Sequence, residues 1–112
     1  MIVEKRQLDG GGTLLRVEGV IKLGESASFF TQALQRVLEE ETGPVVIDLS
    51  RIDMIDSTGI GELVGYLGRF RDHRRELILV NPSDRIRKLL EVAHLAELFP
   101  TYDTVEDAVR SS

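Results

Sequence analysis

Val45-Val46-Ile47-Asp48-Leu49, followed by Ser50-Arg51-Ile52-Asp53-Met54-Ile55-Asp56-Ser57-Thr58-Gly59-Ile60-Gly61, is the stretch on which the fold turns. Its first five residues form a β-branched, apolar run of strand length without alternation. Such a run marks a central strand covered on both faces, typical of parallel pairing. Leu77-Ile78-Leu79-Val80 is a second run of the same kind. Between them, Ile60, Leu63, Val64, Leu67 and Phe70 form an apolar stripe at helical spacing. Strand, helix, strand over this span predicts a right-handed βαβ unit.

Working outward toward the N-terminus, Ile2 to Leu8 and Thr13 to Ile21 read as two strands joined by Asp9-Gly10-Gly11-Gly12. Consecutive glycines after an Asp accept the positive φ of a tight hairpin. They are no phosphate cradle, because neither a Lys-Ser/Thr pair nor a helix start follows at the required spacing. Gly24-Glu25-Ser26 opens a helix with Ala27, Phe30, Leu34, Val37 and Leu38 on its buried face, and Gly43-Pro44 stops it. Downstream, Ser83 is the expected N-cap of a helix that turns Ile86, Leu89, Leu90 and Ala93 inward. Leu98-Phe99 is expected as a short edge strand ended by Pro100, and Asp103 or Thr104 as the cap of a last helix through Val105, Ala108 and Val109. The order ββαβαβαβα predicts one α/β domain over residues 1–112. It has a mixed sheet of four to five strands, an N-terminal β-hairpin and about four helices.

Composition limits the function. The chain has 112 residues, 42% hydrophobic and 29% charged, which suits one globular core and excludes a disordered or fibrous chain. Its 14 basic and 19 acidic residues give a net charge of −5. That charge repels phosphate backbones, and with no Trp, four Phe and two Tyr a base-stacking platform is not expected either. Nucleic acid is therefore not an expected partner. The absence of Cys removes disulfides, thiolate nucleophiles and zinc–thiolate sites, and fits a reducing cytoplasm. Charge at Glu4-Lys5-Arg6 interrupts the apolar run a signal peptide needs, and no stretch reaches the roughly 18 apolar residues of a membrane span. A cytoplasmic protein without membrane insertion, monomeric or weakly dimeric, is expected.

The informative feature is the helix start. Ser57 and Thr58 stand there, flanked by Asp53 and Asp56. Asp, Ser and Thr are preferred N-caps, and acids suit the positive end of the helix dipole. One of Asp56, Ser57 or Thr58 caps, which leaves a hydroxyl free. On a helical projection of residues 57–72, Gly61, Gly65 and Gly68 fall on the side of Ser57, away from the apolar stripe. Each costs about 0.5–1 kcal/mol against Ala in a helix, so three on one stripe call for a reason. Either they pack closely inside the domain, or they form a smooth exposed strip beside Ser57.

Asp56-Ser57-Thr58-Gly59-Ile60-Gly61 resembles the Asp-Ser-Ser/Thr-Gly-Leu-Gly signature of STAS domains, the family of bacterial anti-sigma factor antagonists and sulfate-transporter tails. The resemblance covers nearly the whole chain. Val46 to Leu49 with Ile52 to Asp56 looks like the family's central strand and its approach to the phosphorylation site. Asn81-Pro82-Ser83, Ile86 to Leu90 and Leu95 to Phe99 look like its later strand–helix–strand segment. Thr58 and Ile60 stand where Ser and Leu are frequent.

The resemblance implies an anti-sigma factor antagonist acting by partner switching in transcription regulation. Unphosphorylated, it would bind an anti-sigma factor that is also a serine kinase and so release the sigma factor. Phosphorylation at Ser57, with Thr58 as the second acceptor, would switch it off, and a serine phosphatase would reset it. Asp53, Asp56, Ser57, Thr58, Gly59, Gly61 and Gly65 are the expected partner-binding residues. The alternative is a STAS subunit of a stressosome or of a lipid-transport ABC complex.

An enzyme is not expected, nor a metal or a cofactor. His73 and His94 have neither a neighbouring nucleophile nor a metal-ligand pattern. His73 belongs with Arg69, Arg71, Arg74 and Arg75 as a cationic complement to a helix C-terminus. His94 is expected to be a partly buried residue at a helix end.

Overall fold

Gly10, Gly11 and Gly12 hold φ of 86°, 106° and 101°, the left-handed region that glycine enters without strain. They reverse the chain between β1 (Ile2–Gln7) and β2 (Thr13–Ile21), which pair antiparallel. Gly12 has a second constraint: a Cβ there would meet the Pro44 carbonyl oxygen at 2.7 Å. The computed structural model describes residues 1–111. Its further elements are α1 (Glu25–Glu40), β3 (Val45–Ile55), α2 (Ser57–Asp72), β4 (Leu77–Val80), α3 (Asp84–Val92), a 3-10 turn (Ala96–Leu98), β5 (Thr101–Tyr102) and α4 (Val105–Ser111). The sheet runs β1-β2-β3-β4-β5, antiparallel at the hairpin and parallel elsewhere. This is the mixed α/β architecture read from the sequence, with five strands and four α-helices among the described residues.

The uninterrupted strand runs are buried as expected, because both sheet faces are covered there. On one face, Phe30, Leu34 and Val37 of α1, Leu63, Leu67 and Phe70 of α2, and Ile86 and Leu90 of α3 pack on Leu15, Val17, Ile47, Leu49, Leu77 and Leu79. On the other, Ala108 of α4 closes a smaller cluster with Leu14, Val46, Ile78 and Val80. Ser83 caps α3 by accepting from Ile86 N–H at 3.2 Å, and Thr104 caps α4 by accepting from Asp107 N–H at 3.1 Å.

β3 is longer than the sequence suggests. Val45 to Leu49 is only its first half, and the strand continues to Ile55. Two register shifts against β2 account for the difference: Arg16 pairs Asp48 but Glu18 pairs Arg51, and Gly19 pairs Ile52 but Val20 pairs Met54. Each inserts an extra residue in β3, a β-bulge that re-aims the side chains beyond it. Leu49, Ile52 and Ile55 therefore point inward at a spacing of three, which hides the strand from a two-residue periodicity test.

The C-terminal segment corrects three expectations. The edge strand is not Leu98-Phe99, which lie in and just after the 3-10 turn; it is Thr101–Tyr102, beyond Pro100, paired to Leu79 and Val80. Pro100 serves the ladder through its carbonyl, which accepts from Leu79 N–H at 2.9 Å, while Phe99 plugs the core. Ala93 is the C-cap of α3 and exposed, not inward. His94 is likewise exposed: it holds a left-handed φ of 58° just past that cap, and the next residue, Leu95, bonds back to Leu90 O at 2.8 Å and packs on the core. Within α2, Tyr66 is buried where the apolar stripe named the half-buried Val64. Its hydroxyl donates to Gln35 Oε1 at 2.8 Å, and Arg69 lies over its ring. A polar contact on α1 thus makes burial of a tyrosine affordable.

Candidate functional site

β3 delivers the chain to the C-terminal end of the parallel strands, and α2 starts there. Asp56 is the N-cap: its Oδ1 accepts from Gly59 N–H at 3.0 Å. Its Oδ2 accepts from Leu23 N–H at 2.9 Å, in the turn between β2 and α1. These donors, Gly59 first and Leu23 next, hold the Asp56 carboxyl below its ordinary pKa, because they stabilise only its charged form. Asp56 N–H in turn donates to Ile21 O at 3.0 Å. Both carboxylate oxygens are thus engaged within the fold.

With the cap supplied by Asp56, Ser57 is the first residue of α2, and its side chain is exposed with no hydrogen-bond partner among the described residues. Thr58 is half-buried beside it. Asp53 is exposed on β3, the extra residue of the second bulge. Gly61, Gly65 and Gly68 are exposed, and a Cβ on any of them would meet nothing within 4 Å. Of the two alternatives for the stripe, the open strip is the one observed.

Gly59 departs from the expected set. It is buried, and a Cβ there would lie 2.6 Å from Ile55 Cγ1 and 2.8 Å from Ile21 Cγ2. It therefore lies under the surface and not on it; its lack of a side chain lets the first turn of α2 sit on β2 and β3.

Sequence reasoning passed over Leu23 and Met54, which are 77% and 37% exposed. Met54 pairs Val20 across the sheet, and Leu23 is tied to Asp56, so both stand at the Ser57 end of the molecule. The available signal was a large apolar residue in a short turn between a strand end and Gly24, and another between Asp53 and the buried Ile55. Among the described residues, no group of His, Cys, Asp and Glu could hold a metal ion, and no helix is long and apolar enough to cross a membrane.

A small α/β module that presents a bare hydroxyl at a helix start, beside exposed apolar and glycine positions, has the form of a protein-binding domain. The STAS domain model matches residues 3–108, and the chain belongs to the STAS family. An anti-sigma-B factor antagonist of Staphylococcus aureus is 28% identical over 91 residues, which span 77% of this chain and 84% of that protein. The crystal structure of a Thermotoga maritima protein, provisionally assigned as an anti-sigma factor antagonist, superposes with a TM-score of 0.88 at 21% identity, over 97% of this chain and 92% of that one. The Bacillus cell fate determinant SpoIIAA in its phosphorylated form superposes with a TM-score of 0.75 at 18% identity, over 98% of each chain.

Proposed function

We propose that this protein is an anti-sigma factor antagonist that works as a phosphorylation-controlled binding module. Unphosphorylated, it docks on an anti-sigma factor that is also a serine kinase, and the sigma factor is released. The docking surface comprises Asp53, Ser57 and Thr58 with Gly61 and Gly65 of the open strip, joined by Leu23 and Met54. The kinase transfers the γ-phosphoryl group of ATP to Ser57 Oγ, with loss of the hydroxyl proton and release of ADP. A serine phosphatase hydrolyses the phosphoester and restores the hydroxyl.

The observation that carries this reading is the division of labour at the start of α2. Asp56 caps the helix, so Ser57 is exposed and free of structural duty. A phosphate there adds about −1.5 to −2 charges at neutral pH and meets the positive end of the helix, so the fold tolerates it. Beside Asp53 and Asp56 it strengthens a negative patch, which turns away a partner surface that fitted the neutral hydroxyl. The switch acts on the interface and not by unfolding.

The test is phosphorylation by a cognate ATPase-fold serine kinase, with the site mapped by mass spectrometry. A single phosphate on Ser57, and loss of the complex on modification, is expected. Phosphate on Thr58 with Ser57 bare overturns the residue assignment, and a chain no cognate kinase modifies overturns the switch.

A further inference from the structure

The Asp56 carboxylate joins two segments that lie 33 residues apart, with Oδ1 on Gly59 N–H in α2 and Oδ2 on Leu23 N–H in the β2–α1 turn. The neighbouring Lys22 is held differently: its N–H donates to Ser26 Oγ, and its carbonyl accepts from Ser26 Oγ and Ala27 N–H. Lys22 is therefore anchored to α1, whereas Leu23 is anchored to the start of α2. Gly24 follows with φ of 111° as the N-cap of α1, its carbonyl accepting from Ser28 N–H at 3.1 Å, so the exposed Leu23 stands between two residues held by α1.

Resting on the reading of Ser57 as the modified residue, we propose that Asp56 is a positioning residue that couples Ser57 to the β2–α1 turn. A phosphate on Ser57 loosens the Leu23 arm, so the modification alters the docking surface at Leu23 as well as at α2. Phosphate and carboxylate on adjacent residues repel, and both seek the few N–H groups at the helix start. Of the two carboxylate arms, the Gly59 bond closes a local cap that the helix geometry maintains. The Leu23 bond reaches an exposed turn where water can replace the acceptor, so this is the arm that yields.

The experiment compares the unmodified chain with protein carrying phosphoserine at position 57, installed during translation, by NMR of backbone amides. In the phosphorylated chain the Leu23 order parameter is expected to fall from about 0.85 to below about 0.6, with an upfield shift of its proton resonance. Lys22 and the core amides keep their values. Asp56→Asn retains an oxygen to cap Gly59 N–H but offers Leu23 only an amide group, which cannot accept. In that variant Leu23 is loose from the outset, and phosphoserine at position 57 changes it no further. An unaltered Leu23 amide in the phosphorylated chain overturns the coupling, as does a full phosphoserine effect in the Asp56→Asn background. Because no kinase is used, failure here leaves the kinase assignment standing, and a kinase that ignores Ser57 leaves this coupling measurable.

Discussion

A Cβ placed on Gly59 would lie 2.6 Å from Cγ1 of Ile55, so the glycine of the Asp56–Gly61 signature is required by packing between the end of β3 and the start of α2. Gly59→Ala should destabilise the fold by about 1–3 kcal/mol, the usual cost of overpacking. A urea midpoint unchanged from the parent would refute this account of the signature.

Gly65 gives the opposite sign. It lies in a helix interior, exposed and with open space at its Cβ. Gly65→Ala should raise stability by up to about 1 kcal/mol, because Ala loses less conformational entropy on entering the helix. Gly65→Gln should also fold, yet weaken docking of the anti-sigma factor by its bulk. Parental affinity in a folded Gly65→Gln protein would remove the glycine strip from the interface.

Ser57→Asp tests charge without a phosphate. The residue is exposed at a helix start that favours anions, so stability should change by no more than about 0.5 kcal/mol. Affinity for the anti-sigma factor, followed by calorimetry, should fall. A large drop in melting temperature would mean that Ser57 is structural, contrary to the exposure described above.

Acid should weaken the fold through two identified carboxyls. Glu41 accepts from Lys5 Nζ at 2.8 Å and Gln7 Nε2 at 2.6 Å, and these bonds, Lys5 first, hold it below its ordinary value of 4.5. Asp56 is held below 3.8 by Gly59 and Leu23. A carboxyl whose pKa is lower in the folded chain binds fewer protons there. Its stabilisation is therefore complete above the unfolded pKa and is lost as pH falls through the folded one. Denaturant midpoints measured from neutral pH downward should drop below about pH 4–5, and Glu41→Gln and Asp56→Asn should each flatten that drop. Equal acid slopes in parent and variants would contradict it.

Arg75 closes the far end of the molecule. Its guanidinium donates to Gly43 O at 2.8 Å and to Val37 O and Leu38 O near the C-terminus of α1, while stacking 4.8 Å over Phe70. Arg75→Lys keeps the charge but loses the planar fork, and should cost about 2 kcal/mol in chemical denaturation. A loss confined to a few tenths would show that these carbonyls are served equally well by water.

Much of this architecture depends on neighbours within a few residues, and that part was legible. The runs Val45–Leu49 and Leu77–Val80, the stripes of α1 and α2, the cap Ser83 and the choice of Asp103 or Thr104 for α4 are local patterns, because helix and strand periods repeat along the chain. The acid–hydroxyl–glycine signature also marked the Ser57 region without any knowledge of the fold. The second half of β3 was not legible, since its two bulges exist only as a mismatch with β2. Nor was β5, which follows Pro100 because Leu79 and Val80 offer a free edge there.

The same division runs through the site. By itself the sequence determined that one of three residues would cap α2 and that three glycines would share a face. Only the tertiary structure decided that Asp56 caps, that Ser57 is bare, that the strip is open, that Gly59 is enclosed and that Leu23 is tied to Asp56. Each of these depends on which distant atoms arrive within a few ångströms, and a contact across 33 residues leaves no periodic trace in the chain.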